Sequence, residues 1–185
     1  MQRDYDIIVW GATGFSGKLV TRYMETNYSQ GNLKWAVAGR NKSKLNSLGM
    51  SEENILIANS DDQDSIDQLV QKGRVILTAV GPYARYGSGL VEACAKYGTH
   101  YCDLTGEVYW MRKMIEEYET VAKNSGARIV HTCGFDSIPS DLGTYFLQKS
   151  MMERFGLPAN LSLIHISEPT RLLSISYSVF GVKKK

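Results

Sequence analysis

Short apolar runs alternate along this chain with longer amphipathic stretches. The run IIVW at residues 7–10 leads into glycine-rich sequence, and residues 18–24 follow with helical spacing. Residues 33–38 (LKWAVA) read as a second strand, and residues 41–48 as a short helix that opens on the N-cap-like Asn41. A third strand is predicted at residues 54–58 (NILIA). In the helix at 64–71, Ile66, Leu69 and Val70 share one face behind an acidic cap. The pattern continues with strands at 74–80, 100–104 and 127–133, and with helices at 88–96, 108–124 and 137–152. Pro139 falls in the first turn of the last helix, where its missing N–H costs little.

Strands and helices joined by connections this short imply an α/β fold with a parallel sheet and right-handed crossovers. Six strands suit the doubly wound Rossmann order 3-2-1-4-5-6. Residues 1–150 are therefore expected to form a dinucleotide-binding domain. Residues 151–160 would begin a second, substrate-selecting domain that is otherwise missing.

Residues 161–185 read differently. The segment LSLIHISEPTR at 161–171 matches the conceptual translation of a transposase-type sequencing-library adapter, and the chain then runs into KKK. A non-native tail is expected there. This changes the charge picture. The whole chain has a formal charge of +2, but the tail holds Arg171 and Lys183, Lys184 and Lys185 against Glu168. The remainder is slightly acidic, with no basic stripe to attract nucleic acid.

Apolar residues at 43% suit a soluble globular domain, and no run of about 18 apolar residues predicts a membrane span. No signal peptide is expected, because the start enters a strand almost at once. Cys94, Cys102 and Cys133 form an odd set without a CxxC motif, which suggests reduced thiols in an intracellular, cytoplasmic chain. His100, His131 and His165 lack ligand spacing, so no metal site is assigned.

The chemistry starts at residues 11–17, between the first strand and the first helix. Gly11, Ala12, Thr13, Gly14, Phe15, Ser16 and Gly17 follow GxxGxxG spacing. Gly11 would permit the tight turn, Gly14 would admit a pyrophosphate to the backbone, and Gly17 would let helix and strand pack closely. The free N–H groups at the helix start then meet phosphate charge. At the end of the second strand, an NAD-preferring site usually carries an acid for the ribose 2′-OH. This chain has Arg40 and Asn41 there, followed by Lys42 and Lys44. A guanidinium can pair with a 2′-phosphate and stack on adenine, so NADP is favoured over NAD. Val80, Gly81 and Pro82 follow the fourth strand and would pass over the nicotinamide end. Asn59 could reach the adenine.

A family is visible in these pieces together. GATGFSG (11–17), WAVAGRN (35–41), VGPYARYG (80–87), LVEACAKYGTHYCDLTGE (90–107) and CGFDSIPSDLG (133–143) resemble the saccharopine dehydrogenase-like oxidoreductases, a group that includes the trans-acting enoyl reductase type. The resemblance spans residues 5–149. It implies a Rossmann domain followed by a second α/β domain, with an active cleft between them. By position, residues 11–17 and Arg40 match the family's cofactor loop, and Glu107, Asp136 and Ser137 match motifs on the cleft side. Relatives are associated with mitochondria, lipid droplets and intracellular membranes. Membrane or lipid-droplet association would come only through the missing domain. Oligomeric state is left open.

Hydride transfer would be the cofactor's work, with the protein orienting it and supplying a proton donor. No catalytic residue is assigned. Tyr109 and Lys113 have the Tyr-x-x-x-Lys spacing of short-chain dehydrogenases, but chance supplies such a pair in a chain with 11 Tyr, and this one lies too soon after the fifth strand. Asp103, Glu107, Asp136 and Asp141 lie near strand ends, where they could equally begin helices. Three readings follow: an NADP-dependent oxidoreductase with a small-molecule, lipid-related enoyl or imine substrate, a non-catalytic dinucleotide-binding module, or an atypical short-chain reductase.

Overall fold

A computed structural model describes residues 3–159. The expected tail at 161–185 lies outside the described residues. The chain divides into a first compact unit that ends at Cys133 and a second that begins at Gly134.

The first unit holds six parallel strands: β1 (Tyr5–Trp10), β2 (Trp35–Gly39), β3 (Ile55–Ile57), β4 (Gly73–Thr78), β5 (His100–Asp103) and β6 (Ile129–Val130). Their order is β3-β2-β1-β4-β5-β6, as the alternation predicted. The helices are α1 (Phe15–Tyr28), α2 (Lys42–Asn46), α3 (Gln63–Lys72), α4 (Tyr83–Tyr86), α5 (Ser88–Tyr97) and α6 (Val108–Ser125). Helix α7 (Ile138–Phe155) belongs to the second unit and carries Pro139 in its first turn. Among the described residues no helix is long and apolar enough to cross a membrane.

A parallel sheet covered on both faces needs strands that are apolar on both. Successive residues of β1 do this. Ile8 and Trp10 join one core with Ile66, Val70, Ile76, Leu90 and Met114. Val9 joins the other with Ala12, Met24, Val37 and Leu45. Registers such as Ile8↔Ala36 and Ile8↔Ile76 align β1 between β2 and β4, so their carboxyl ends open on one side.

Several predicted details change. The acid that caps α3 is Asp62, whose carboxylate accepts from the N–H groups of Asp64 and Ser65. The short helix α4 was hidden inside a loop motif. The expected seven-residue sixth strand shrinks to Ile129 and Val130, because the chain leaves the ladder at Thr132. Thr132 sits at φ 59, a region that β-branched residues avoid. Its N–H donates to the Asp103 carboxylate at 3.0 Å, and the Cys133 N–H donates to the Asp103 carbonyl at 2.7 Å.

Candidate functional site

β1 ends where Gly11 turns the chain at φ +85, and a methyl there would stand 2.6 Å from Val80 Cγ2. Both the turn and the close approach of the β4 loop require glycine. The Gly11 N–H donates to the Ala38 carbonyl at 2.9 Å, which ties the turn to β2. Gly17 is buried in the first turn of α1, and any Cβ on it would overlap the Gly11 carbonyl. Helix α1 therefore lies against the turn at backbone distance. It opens at Gly14 with no side chain capping it and no acid in its first turn. Its leading N–H groups have no intrahelical acceptor, and among the described residues neither a side-chain cap nor a first-turn acid offsets the positive end of the helix dipole.

The turn opens on a cleft of about 260 Å³. Gly11, Thr13 and Gly14 line it centrally, above Trp10. Gly39 and Arg40 line the β2 side, with Ala58 and Ser60 beside them from the segment after β3. Ala79, Val80, Gly81 and Tyr86 form the β4 side. Arg40 is exposed and forms no ion pair among the described residues. The cleft thus places a helix N-terminus in the middle, a guanidinium at one end and an uncharged loop at the other.

The remaining predicted residues lie near this cleft without lining it. Ala12 is fully buried in a core cluster, and Gly17 lies under the turn. Phe15 is 85% exposed, and Ser16 is half-buried on the same helical turn. Asn41 caps α2, its side chain accepting from the Lys44 N–H at 2.9 Å. Pro82 occupies the N-cap position of α4. Asn59 accepts from the Asp61 N–H at 3.3 Å, between the cleft residues Ala58 and Ser60. Ser60 and Tyr86 were missed. Tyr86 sits in the VGPYARYG motif, so that segment carried a signal; Ser60 carried none.

A second polar cluster lies at the ends of β5 and β6. Glu107 was expected to begin α6, and it does occupy the N-cap position, but its carboxylate makes no cap there. It turns to α4 instead. One oxygen accepts from the Tyr83 N–H at 2.7 Å, and the other from the Ala84 N–H at 2.9 Å. Asp103 is buried and accepts from His131 Nδ1 at 2.6 Å, the Tyr101 hydroxyl at 2.8 Å and the Thr105 N–H at 3.1 Å. Burial alone would raise its pKa, but the bonds from His131, Thr105 and Tyr101 outweigh that and hold the carboxyl below its ordinary range. Among the described residues the buried His131 Nε2 has no hydrogen-bond partner, and the Trp110 ring stands edge-to-face at 5.2 Å.

Burial raises the pKa of Cys94, pushes that of Cys102 up to about 12, and also raises Cys133, so none is poised as a thiolate. Asp136 is exposed, and Asp141 lies in the first turn of α7. Among the described residues no group of three or more His, Cys, Asp or Glu is placed to hold a metal.

Glycine turn, bare helix start and strand order together define a dinucleotide-binding Rossmann domain. Residues 7–130 match the saccharopine dehydrogenase NADP binding domain, and the chain belongs to that family. It is 41% identical over 158 residues to a trans-acting enoyl reductase of Mycobacterium tuberculosis, covering 82% of this chain and 37% of the relative. A putative trans-acting enoyl reductase of the same organism is 43% identical over 157 residues, with the same coverage. The chain thus spans little more than a third of these relatives. Among solved structures, the apo saccharopine dehydrogenase (L-Glu forming) of Saccharomyces cerevisiae matches the fold with a TM-score of 0.62 at 15% identity, over 80% of this chain and 31% of that one.

Proposed function

We propose that this chain is the NADP(H)-binding part of an oxidoreductase whose small-molecule substrate carries a reducible enoyl or imine bond. The observation that carries the reading is the cleft itself, where an uncapped helix N-terminus meets a glycine turn with Arg40 at one end. A diphosphate fits the central amides because Gly11 and Gly14, which line the cleft, put no side chain in the way. Arg40 would hold the 2′-phosphate, since its planar fork pairs two phosphate oxygens at once. Ala58 and Ser60 would flank the adenine, and Val80 and Gly81 the nicotinamide ribose. When bound, NADPH supplies the hydride; the chain orients it and keeps water from one face. The enoyl class rests on the names of the mycobacterial relatives, and a lipid-related substrate fits it.

Calorimetry of the purified chain tests the cofactor reading. NADPH should bind, with NADH weaker by about tenfold or more. Absence of heat with both nucleotides would overturn the reading. Turnover is tested separately in the longer protein: NADPH bound but never oxidised across enoyl and imine substrates would favour a non-catalytic dinucleotide module.

A further inference from the structure

We propose that Glu107 is a positioning residue for the nicotinamide half of the cofactor, acting through the loop between β4 and α4; the inference rests on the cofactor reading above. That loop supplies Ala79, Val80 and Gly81 to the cleft, and α4 supplies Tyr86. Its near end is fixed by β4. The Ala79 N–H donates to the Trp10 carbonyl at 2.9 Å, and the Val80 N–H to Thr78 Oγ1 at 3.2 Å. Its far end is held across the chain by Glu107, which takes the two leading N–H groups of α4 on separate oxygens.

The anchor is itself braced. The Glu107 N–H donates to Thr105 Oγ1 at 3.1 Å, and the Thr105 N–H donates to the buried Asp103 carboxylate. Packing strengthens the same joint. Tyr83 is buried, its ring lies 5.7 Å from that of Trp110, and its hydroxyl donates to the Thr78 carbonyl at 3.1 Å. Burial pushes the Tyr83 pKa up to about 12, so the hydroxyl stays a donor at neutral pH.

The consequence falls on one end of the cleft. Val80 packs against the Gly11 turn, so a displaced loop would change the spacing between the diphosphate cradle and the nicotinamide wall. Arg40 and Ser60 lie on the other side of the cradle and share no hydrogen bond with Glu107. Loss of the carboxylate should therefore weaken binding of the nicotinamide half and spare the adenosine half. A merely structural residue would not separate the two.

Two ligands make the test. NADPH spans the whole cleft, whereas adenosine 2′,5′-bisphosphate engages only the adenosine and phosphate side. Glu107→Ala should weaken NADPH by about tenfold and leave the bisphosphate within about twofold. Glu107→Gln keeps one carbonyl acceptor and should give a smaller NADPH loss in the same direction, and it serves if the alanine variant fails to fold. Equal weakening of both ligands, or of neither, would overturn the proposal. Wild-type protein that binds neither ligand would instead overturn the cofactor reading and take this one with it.

Discussion

Two stretches of the sheet's carboxyl edge work by different means. Between β1 and β2 the candidate site is made of backbone: a glycine turn, a bare helix start and one guanidinium. Between β5 and β6 the same carboxyl edge is made of side chains that hold other parts of the chain. The Asp103 carboxylate collects four donors and that of Glu107 two, and neither residue lines the cleft. One region leaves backbone N–H groups free for a ligand, while in the other the two carboxylates are occupied by donors from the chain itself. The contrast separates carboxylates that fix geometry from amides that await charge.

The largest expected effect comes from the region of occupied carboxylates. Asp103→Ala strands donors from His131, Tyr101, Thr105 and Thr132 in a buried place and should cost about 4 kcal/mol of stability by chemical denaturation. The pH dependence follows from the lowered pKa of Asp103. Its contribution is complete above the ordinary carboxylate pKa of about 4 and is lost as pH falls below that toward the folded value. The wild type should therefore lose stability on acidification below about pH 4 more steeply than Asp103→Asn. Parallel pH profiles would remove Asp103 from the account.

Gly17→Ala comes next and breaks the free region from below. Its Cβ meets backbone rather than a movable side chain, so α1 must shift away from the Gly11 turn. A loss of about 3 kcal/mol is expected, together with loss of NADPH binding. Unchanged affinity in a folded Gly17→Ala protein would show that close contact between helix and turn is unnecessary. Arg40→Asp acts on the ligand alone. NADPH should weaken by about a hundredfold while NADH changes far less, with stability unaltered. Equal changes in both would detach Arg40 from the 2′-phosphate.

The contrast also explains what could be read in advance. The strand order, the tight turn at Gly11 and the close packing at Gly17 were legible, because each requirement lies within a few residues of its cause. Asn41 was visible as a helix cap for the same reason. The double bond of Glu107 to α4 was not legible: the partners stand 24 and 23 residues apart, and the local pattern pointed to an ordinary helix start. The sixth strand was overdrawn because nothing within ARIVHTC itself marks where the strand stops. Asp103, 29 residues upstream of Thr132, takes the N–H group that would otherwise extend the ladder. Ser60 could be found only from the fold, since nothing distinguishes a serine after a strand until β3 is placed beside β2.

The smallest expected effect tests whether a short-chain reductase hides in the same chain. That mechanism needs a phenol in the nicotinamide cleft with a lysine at its side. Here Tyr109 is 94% exposed on the opening turn of α6 and is absent from the cleft lining. Lys113 reaches Glu117 one turn along, at 3.8 Å, as an exposed ion pair. Both groups are exposed. Tyr109→Phe should therefore change stability by less than about 0.5 kcal/mol and leave NADPH affinity and any turnover of the longer protein intact. A large loss of turnover at unchanged affinity would put the phenol in the reaction, and it would move the chemical centre from the β4 loop to the start of α6.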